Sequence, residues 1–217
     1  MIAQPLMAIR TKARLFRWQM FWGESKGWRN AITALLVLLH PAWTGAAEKK
    51  QWITLANCQY VAHSGNDGDS FRVRCGTEQF ILRLYFVDAP EANLTYSERT
   101  REQSEHFGTT LDETLRSGAK AREFVRDTLR GSFVVITRKA SAPGRSAAPR
   151  YYGLVQIGNK GLDEILVSQG LARTKGVAVN LPSGEKSRSH VDRLRTIEAQ
   201  ARQQRRGVWA SSAKPKS

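Results

Sequence analysis

FILRLYFV, at residues 80–87, is a nearly unbroken apolar run. Two shorter segments precede it: residues 52–62 are mixed apolar and β-branched, and FRVR at residues 71–74 alternates with the period of a strand. Turn sequences separate the three segments, among them SGNDG at residues 64–68. Three short strands joined by tight turns predict an antiparallel β-meander.

The remainder of the body adds helices and two more strands. Thr110 and Glu113 have the spacing of a capping box, which predicts the start of a helix that Gly131 ends. Strands are predicted at residues 133–137 and 151–157, and two shorter helical patterns follow them. We therefore expect an α+β fold, mainly β: a five-stranded barrel of the oligonucleotide-binding (OB) type with three helices.

The charge of the chain favours a polyanionic partner. Its 217 residues carry a formal net charge of +15, and +10 of this lies beyond residue 46. A basic body of this kind suits nucleic acid, an anionic membrane surface or an acidic polysaccharide. Crossing a bilayer takes ~20 apolar residues, and no apolar run of the body is that long.

The first 47 residues have the order of an export signal. A basic stretch ends at Arg29, an apolar run occupies residues 31–39, and small residues follow at 44–47. We expect a secreted or periplasmic protein with three parts: a signal peptide or N-terminal membrane anchor at residues 1–47, an OB-type domain at 48–210 and a disordered tail at 211–217.

Two cysteines, Cys58 and Cys75, lie equally far from a hairpin centred between Asn66 and Asp67. Residues that face each other on antiparallel strands are ~5 Å apart, and an exported protein allows oxidation. A disulfide between them is one prediction, and two small buried thiols are the alternative.

Two acidic clusters carry the candidate chemistry: Asp67-Gly-Asp69 at the hairpin turn, and Asp88-Ala-Pro-Glu91 after the third strand. Each alone is ordinary turn or strand-end chemistry. In a meander, however, Asp69 and Asp88 meet at one end of the sheet, where two close carboxylates repel each other. A hard divalent cation would relieve this repulsion, and the backbone carbonyl of Ala89 could add a ligand.

Arg83 is a charge inside the apolar third strand, five residues before Asp88. A buried charge is costly unless it is paired or emerges into a site. An arginine beside a bound cation would bind a phosphate group. The alternative is a structural salt bridge to a nearby carboxylate.

These motifs resemble the staphylococcal nuclease (thermonuclease) family. The likeness begins with DGDS at residues 67–70 and LRLYFVDAPE at 82–91, continues through Gly153-Leu154 and residues 164–172, and ends at 197–209. It covers roughly residues 55–209. The resemblance implies a nuclease that hydrolyses DNA, RNA or both. We expect a monomer without an obligatory protein partner.

The resemblance also implies individual roles. Asp69, Asp88 and the carbonyl of Ala89 would bind Ca²⁺, with Mg²⁺ or Mn²⁺ as less favoured substitutes. Glu91 would be the general base that draws a proton from the attacking water. Arg83 would bind the phosphate and stabilise the charge that develops on its oxygens.

The chain departs from the family at one catalytic position. Members of this type carry a second arginine directly before the glycine of the fifth strand, where this chain has Tyr152. Arg150 lies two residues upstream, on the same side of an extended strand. Our hypothesis is that Arg150 acts as the missing catalytic arginine, with Tyr152 among the substrate-binding residues.

Two further segments differ from the family. The loop after Ala172 lacks the aromatic residues that would stack on a base, which leaves Arg173 and Lys175 as predicted phosphate-binding residues. Residues 92–109 form a longer charged segment than the short loop of the family, without a clear hydrophobic stripe. His106 within it is expected to be solvated.

Three functions remain open at this point. A metal-dependent nuclease accounts for the carboxylates, the arginines and the charge. A non-catalytic OB-type module that binds nucleic acid accounts for the charge but gains nothing from acids facing a polyanion. An exported cationic protein that binds anionic surface polymers does not account for the grouping of Asp69, Arg83, Asp88 and Glu91.

Overall fold

The computed structural model describes residues 51–144 and 146–212. The predicted leader at 1–47 and residues 213–217 of the predicted tail lie outside the described residues. In the described part of the chain, no helix is long and apolar enough to cross a membrane.

The strands of the described residues follow the predicted order, with three short additions. The long strands are β1 (Ile53–Val61), β2 (Ser70–Cys75), β3 (Glu78–Leu84), β5 (Phe133–Ser141) and β6 (Arg150–Ile157), and the short ones are β4 (Val87–Asp88), β7 (Lys160–Gly161) and β8 (Arg173–Thr174).

The five long strands curl into a barrel-like sheet. They follow the order β3-β2-β1-β5-β6, with antiparallel neighbours, and β3 also pairs with β6 in parallel. The parallel register sets Ile81 opposite Arg150 and Arg83 opposite Tyr152. This is the predicted mainly-β α+β fold, and its topology is OB-like.

Four α-helices surround the sheet in the described residues: α1 (Ser97–Phe107), α2 (Leu111–Thr128), α3 (Leu162–Ser168) and α4 (Ser187–Gln203). The predicted capping box of α2 is present, with the Thr110 and Glu113 side chains each bonded to the other's backbone N–H. The last helix begins at Ser187, two residues before the expected capping segment at Ser189.

Helix α1 was not expected, because the face that it buries is largely polar. Thr100, Gln103 and Ser104 are buried along it, together with Phe107 at its end. Gly108 caps its C-terminal end, with a φ of 66° in the left-handed region that glycine tolerates. A search for an apolar stripe cannot find a helix of this kind.

The third strand is shorter than its apolar run suggests. β3 ends at Leu84, and Phe86 has a φ of 70°, which is rare for a bulky residue. Phe86 is buried, and its ring lies edge-on against His190 with centroids 4.5 Å apart. This break frees the next two residues to pair with β8, so that Asp88 lies opposite Arg173.

Two apolar clusters hold the elements together. The main core lies between the sheet and the helices and includes Phe71, Leu82 and Leu166. A second cluster joins Phe107 of α1 to Ala201 of α4 and to Val208 and Trp209 near the chain end. α1 is therefore anchored at its C-terminal end, and its N-terminal part lies against the acidic end of the barrel.

The first hairpin has the predicted register. Gln59 pairs with Arg74 and Tyr60 with Val73, which confirms a centre between residues 66 and 67. Cys58 and Cys75 form a disulfide, with Cα atoms 4.3 Å apart. The hairpin that carries Asp69 is thus cross-linked at its base.

Loss of this disulfide is expected to destabilise the protein by about 3 kcal/mol, since the bond closes a short loop in the unfolded chain. Urea unfolding of the oxidised chain, with and without a thiol reductant, measures the difference. The double variant Cys58→Ala/Cys75→Ala is the control, because reductant should not change its midpoint. The prediction would be contradicted if complete reduction of the disulfide left the urea midpoint of the wild-type chain unchanged.

Candidate functional site

The hairpin turn positions Asp69. The Asp67 carboxylate accepts hydrogen bonds from the backbone N–H of Asp69 (3.0 Å) and of Ser70 (2.6 Å), which fixes the turn. Gly68 between them permits a close approach, because a Cβ there would lie 2.7 Å from the Cβ of Ala89. Asp69 is consequently buried at the start of β2.

Asp69, Arg83 and Asp88 converge at one end of the barrel. The two terminal nitrogens of Arg83 lie 2.7 Å from Asp69 Oδ1 and 3.3 Å from Asp88 Oδ1. Asp69 Oδ2 accepts a hydrogen bond from the backbone N–H of Ala89 at 2.9 Å. The structure thus brings together the residues that the sequence singled out, with Arg83 bridging the two aspartates.

Glu91 completes the acidic group and is held from two sides. Its backbone N–H donates to Gln103 Oε1 at 2.8 Å, and its Oε1 forms an ion pair with Arg99 Nε at 3.1 Å. On the other side, Gly118 of α2 packs directly on the backbone of Pro90 and Glu91. The position of Glu91 therefore depends on both α1 and α2.

α1 places two side chains in the site that sequence reasoning missed. The Arg99 guanidinium contacts Asp88 Oδ1, lies 3.8 Å from Asp69 Oδ2 and also contacts Glu91. Gln103 donates to Asp88 Oδ2 at 3.1 Å and to the Ala89 carbonyl at 2.8 Å. The one available signal was the spacing of four residues between them, which puts both on one helical face.

The surroundings of Arg173 and Lys175 differ from those of the phosphate-binding loop expected from the sequence. Arg173 is buried, with Nε 2.8 Å from Asp88 Oδ2 and its terminal nitrogens on the Glu102 carboxylate. Lys175 is exposed and bonds to Glu102 at 2.9 Å. Substrate binding by either residue stays a prediction, and the contacts of Arg173 are those of a structural ion pair.

Burial and ion pairing shift the pKa values of the acidic side chains in different directions. Burial raises the pKa of Asp69 to about 8 against the opposing effect of Arg83. Burial also raises the pKa of Glu91, although Arg99 opposes it. Burial alone would also raise the pKa of Asp88. The positive charges of Arg99 and Arg173 together have the larger effect, and the pKa of Asp88 is lowered.

A cleft of about 570 Å³ opens over this group. Its wall includes Asp67, Arg83, Glu91, Arg99 and Arg150, so three guanidinium groups and two carboxylates share a single space. Arg150 passes close to Gly144, where a Cβ would lie 2.7 Å from its guanidinium.

Tyr152 and His106 are engaged elsewhere. The Tyr152 ring stacks on Tyr85 with centroids 5.1 Å apart, and Tyr152 does not line this cleft. His106, expected to be solvated, is half-exposed, lies 3.7 Å from Glu198 and packs on Phe107. A role of Tyr152 in substrate binding stays a prediction.

The oxygen atoms of the site fit a hard cation chemically, but protein donors already contact most of them. Asp69 Oδ1 is buried and has no well-oriented hydrogen-bond donor among the described residues. Both oxygens of Asp88 and the carbonyl of Ala89, by contrast, accept from α1 or from arginines. Within residues 51–144 and 146–212, no group of three His, Cys, Asp or Glu side chains is arranged to hold a metal.

Comparison with protein families identifies a relationship for this chain. The model of a family described as staphylococcal nuclease homologue matches residues 81–211, more than half of the chain. A search of curated proteins found no match. The matched range includes Arg83, Asp88, Glu91 and Arg150 and begins after Asp69, whose place in the site is given by the structure.

Gly118→Ala is expected to destabilise the protein by about 1–3 kcal/mol, because the added Cβ would lie 2.3 Å from the Glu91 carbonyl oxygen. Alanine otherwise favours a helix interior over glycine, so a loss identifies this backbone contact as its cause. Urea unfolding measures the change. Gly131→Ala, beyond the end of α2, is the control for an added methyl group without a clash, since its Cβ would meet nothing within 4 Å. Equal midpoints for the Gly118 variant and the wild type would contradict the prediction.

Proposed function

The chain belongs to the staphylococcal nuclease family, and from this we propose that it is an exported, metal-dependent nuclease that hydrolyses phosphodiester bonds of DNA, RNA or both. Family membership makes it a nuclease-like or nucleic-acid-binding protein. The observation that carries the more specific proposal is the cleft in which Glu91, Arg83 and Arg150 line one space above Asp69 and Asp88.

Arg83 and Arg150 are the proposed phosphate-binding pair. A guanidinium can donate two parallel hydrogen bonds to a phosphate, and its charge stabilises the oxygens as negative charge builds up during displacement. The register supports this pairing, because Arg150 lies on β6 two residues before Tyr152, the partner of Arg83 on β3. Residues two apart on a strand project to the same face.

Glu91 is the proposed general base. In this role it takes a proton from the water whose oxygen bonds to phosphorus as the ester oxygen leaves. Its place in the cleft wall and a pKa raised by burial support the assignment, because a higher pKa makes the carboxylate a stronger base. The contact with Arg99 Nε orients the carboxylate at 3.1 Å.

Calcium is the proposed cofactor, held by Asp69, Asp88 and the carbonyl of Ala89. All of these ligands are oxygens, which suits Ca²⁺ and leaves Mg²⁺ or Mn²⁺ as chemical substitutes. When bound, the ion would act as a Lewis acid on the phosphate.

Export is part of the proposal and has two supports. The leader has the order of a signal peptide or membrane anchor. Cys58 and Cys75 form a disulfide, which persists in secreted and periplasmic proteins.

A non-catalytic nucleic-acid-binding module is the second candidate. The observation that favours it is the stacking of Tyr152 on Tyr85 at the position where this type of nuclease has an arginine. Metal-dependent cleavage separates the two candidates, because a pure binding module has no use for the ion.

The full chain is expected to cut single-stranded or duplex DNA, or RNA, with Ca²⁺ and to lose this activity with a chelator. Glu91→Gln should lower the rate by about 10²–10⁴-fold, the usual contribution of a general base. Gel-based cleavage assays with Ca²⁺, Mg²⁺ or chelator measure this, and fluorescence anisotropy checks that the variant still binds. Binding without cleavage under every metal would favour the binding module.

Arg150→Ala is expected to slow hydrolysis by about 10²-fold, the cost of one transition-state donor. Arg74→Ala on the same sheet is the matched control, because Arg74 is exposed and its side chain hydrogen-bonds to Gln59, away from the cleft. Initial rates on one oligonucleotide give the comparison. A rate for the Arg150 variant equal to that of the Arg74 variant would show that the lost family arginine has no replacement here.

A further inference from the structure

We propose that Arg99 is an internal counter-ion of Asp69, Asp88 and Glu91 that lies at the place of a cation bound by Asp69 and Asp88, so that it competes with calcium and sets the calcium affinity of the site. The inference rests on the proposed calcium-dependent function. It assigns a specific task to α1, the helix of the inserted charged segment.

The geometry gives Arg99 the place that a cation would take. One guanidinium contacts Asp88 Oδ1, approaches Asp69 Oδ2 to 3.8 Å and has its Nε 3.1 Å from Glu91 Oε1. Arginine is always charged and has five N–H donors, so it can compensate several carboxylates at once. The repulsion that a divalent ion would relieve is thus relieved by the protein itself.

Arg99 and calcium compete for one place, because two cations held by the same carboxylates repel each other. Calcium needs its ligand oxygens at 2.3–2.6 Å, and Asp88 Oδ1 is already in contact with the Arg99 guanidinium. Binding of the ion is therefore favoured when the guanidinium turns away. The apparent affinity for calcium is then reduced by the fraction of molecules in which Arg99 remains in place.

Arg99 is the arginine of this group that can leave most easily. Its side chain is 34% exposed, compared with 14% for Arg83 and 2% for Arg173. It also lines the cleft, so its guanidinium can turn toward solvent without any movement of the barrel. The rest of α1 is anchored by Phe107 in the second apolar cluster.

A purely structural salt bridge makes the opposite prediction. If Arg99 only stabilised the fold, its removal would disorder the carboxylates and leave calcium binding unchanged or weaker. If Arg99 competes with calcium, its removal leaves three carboxylates without this counter-ion, and the ion binds more tightly. The direction of the change in affinity therefore decides between the two roles.

Isothermal titration of the full chain with CaCl₂ tests the proposal. Arg99→Gln is expected to lower the Kd for calcium by about tenfold or more, within the usual range for coupled sites. Arg101→Gln is the matched control on the same helix, because Arg101 is exposed and pairs with Glu98. A Kd for Arg99→Gln equal to or weaker than that of the control would overturn the proposal.

A second variant and a second measurement keep the proposal testable if Arg99→Gln folds poorly. Arg99→Lys keeps the charge but cannot hold both Asp88 and Glu91 with one planar group, so its calcium affinity should lie between those of wild type and Arg99→Gln. Thermal melts should show that calcium raises the Tm of either Arg99 variant more than that of wild type. A smaller or equal rise in both would also overturn the proposal.

Parallel cleavage assays separate this inference from the proposed function. If all variants bind calcium equally and wild type cuts DNA or RNA with it, the Arg99 inference alone fails. If no variant binds calcium and wild type does not cut, the proposed function fails.

Discussion

Three buried carboxylates at one end of the barrel are the constraint on which the local structure depends. Asp69, Asp88 and Glu91 are all buried, and like charges this close cannot all remain ionised without compensation. The protein supplies positive charge from three different elements: Arg83 on β3, Arg99 on α1 and Arg173 on β8. Breaking such a group by removing one partner leaves a buried charge uncompensated, which is the costly event in a buried ion network.

The backbone around the site follows from this requirement. The break at Phe86 ends β3 and lets Val87–Asp88 pair with β8, which sets Asp88 opposite Arg173. Gly68 and Gly118 allow the backbone segments that carry Asp69 and Glu91 to approach their neighbours closely. The parallel β3–β6 pairing then sets Arg150 close enough to Arg83 to share a cleft.

Sequence reasoning reached the parts that depend on local pattern and strand geometry. The strand order, the hairpin centre and the capping box of α2 follow from periodicity and turn residues. The meeting of Asp69 with Asp88 follows from the meander. α1 was missed because its buried face is polar, and a polar face has no apolar period. The ion pair of Arg173 with Glu102 was missed because its partners are 71 residues apart and nothing local joins them.

The anchoring of α1 by Trp209 gives the molecule an optical reporter of this end of the barrel. In the described residues the tryptophans are Trp52 and Trp209, and Trp209 is buried against the rings of Phe107 and His106 on α1. Indole emission depends on the polarity around the ring, so solvent that enters when α1 lifts would shift the Trp209 spectrum to longer wavelength. The chain also has tryptophans at residues 18, 22, 28 and 43, so replacing these four and Trp52 by phenylalanine would isolate that signal. The docking of α1 could then be followed in real time without an attached dye.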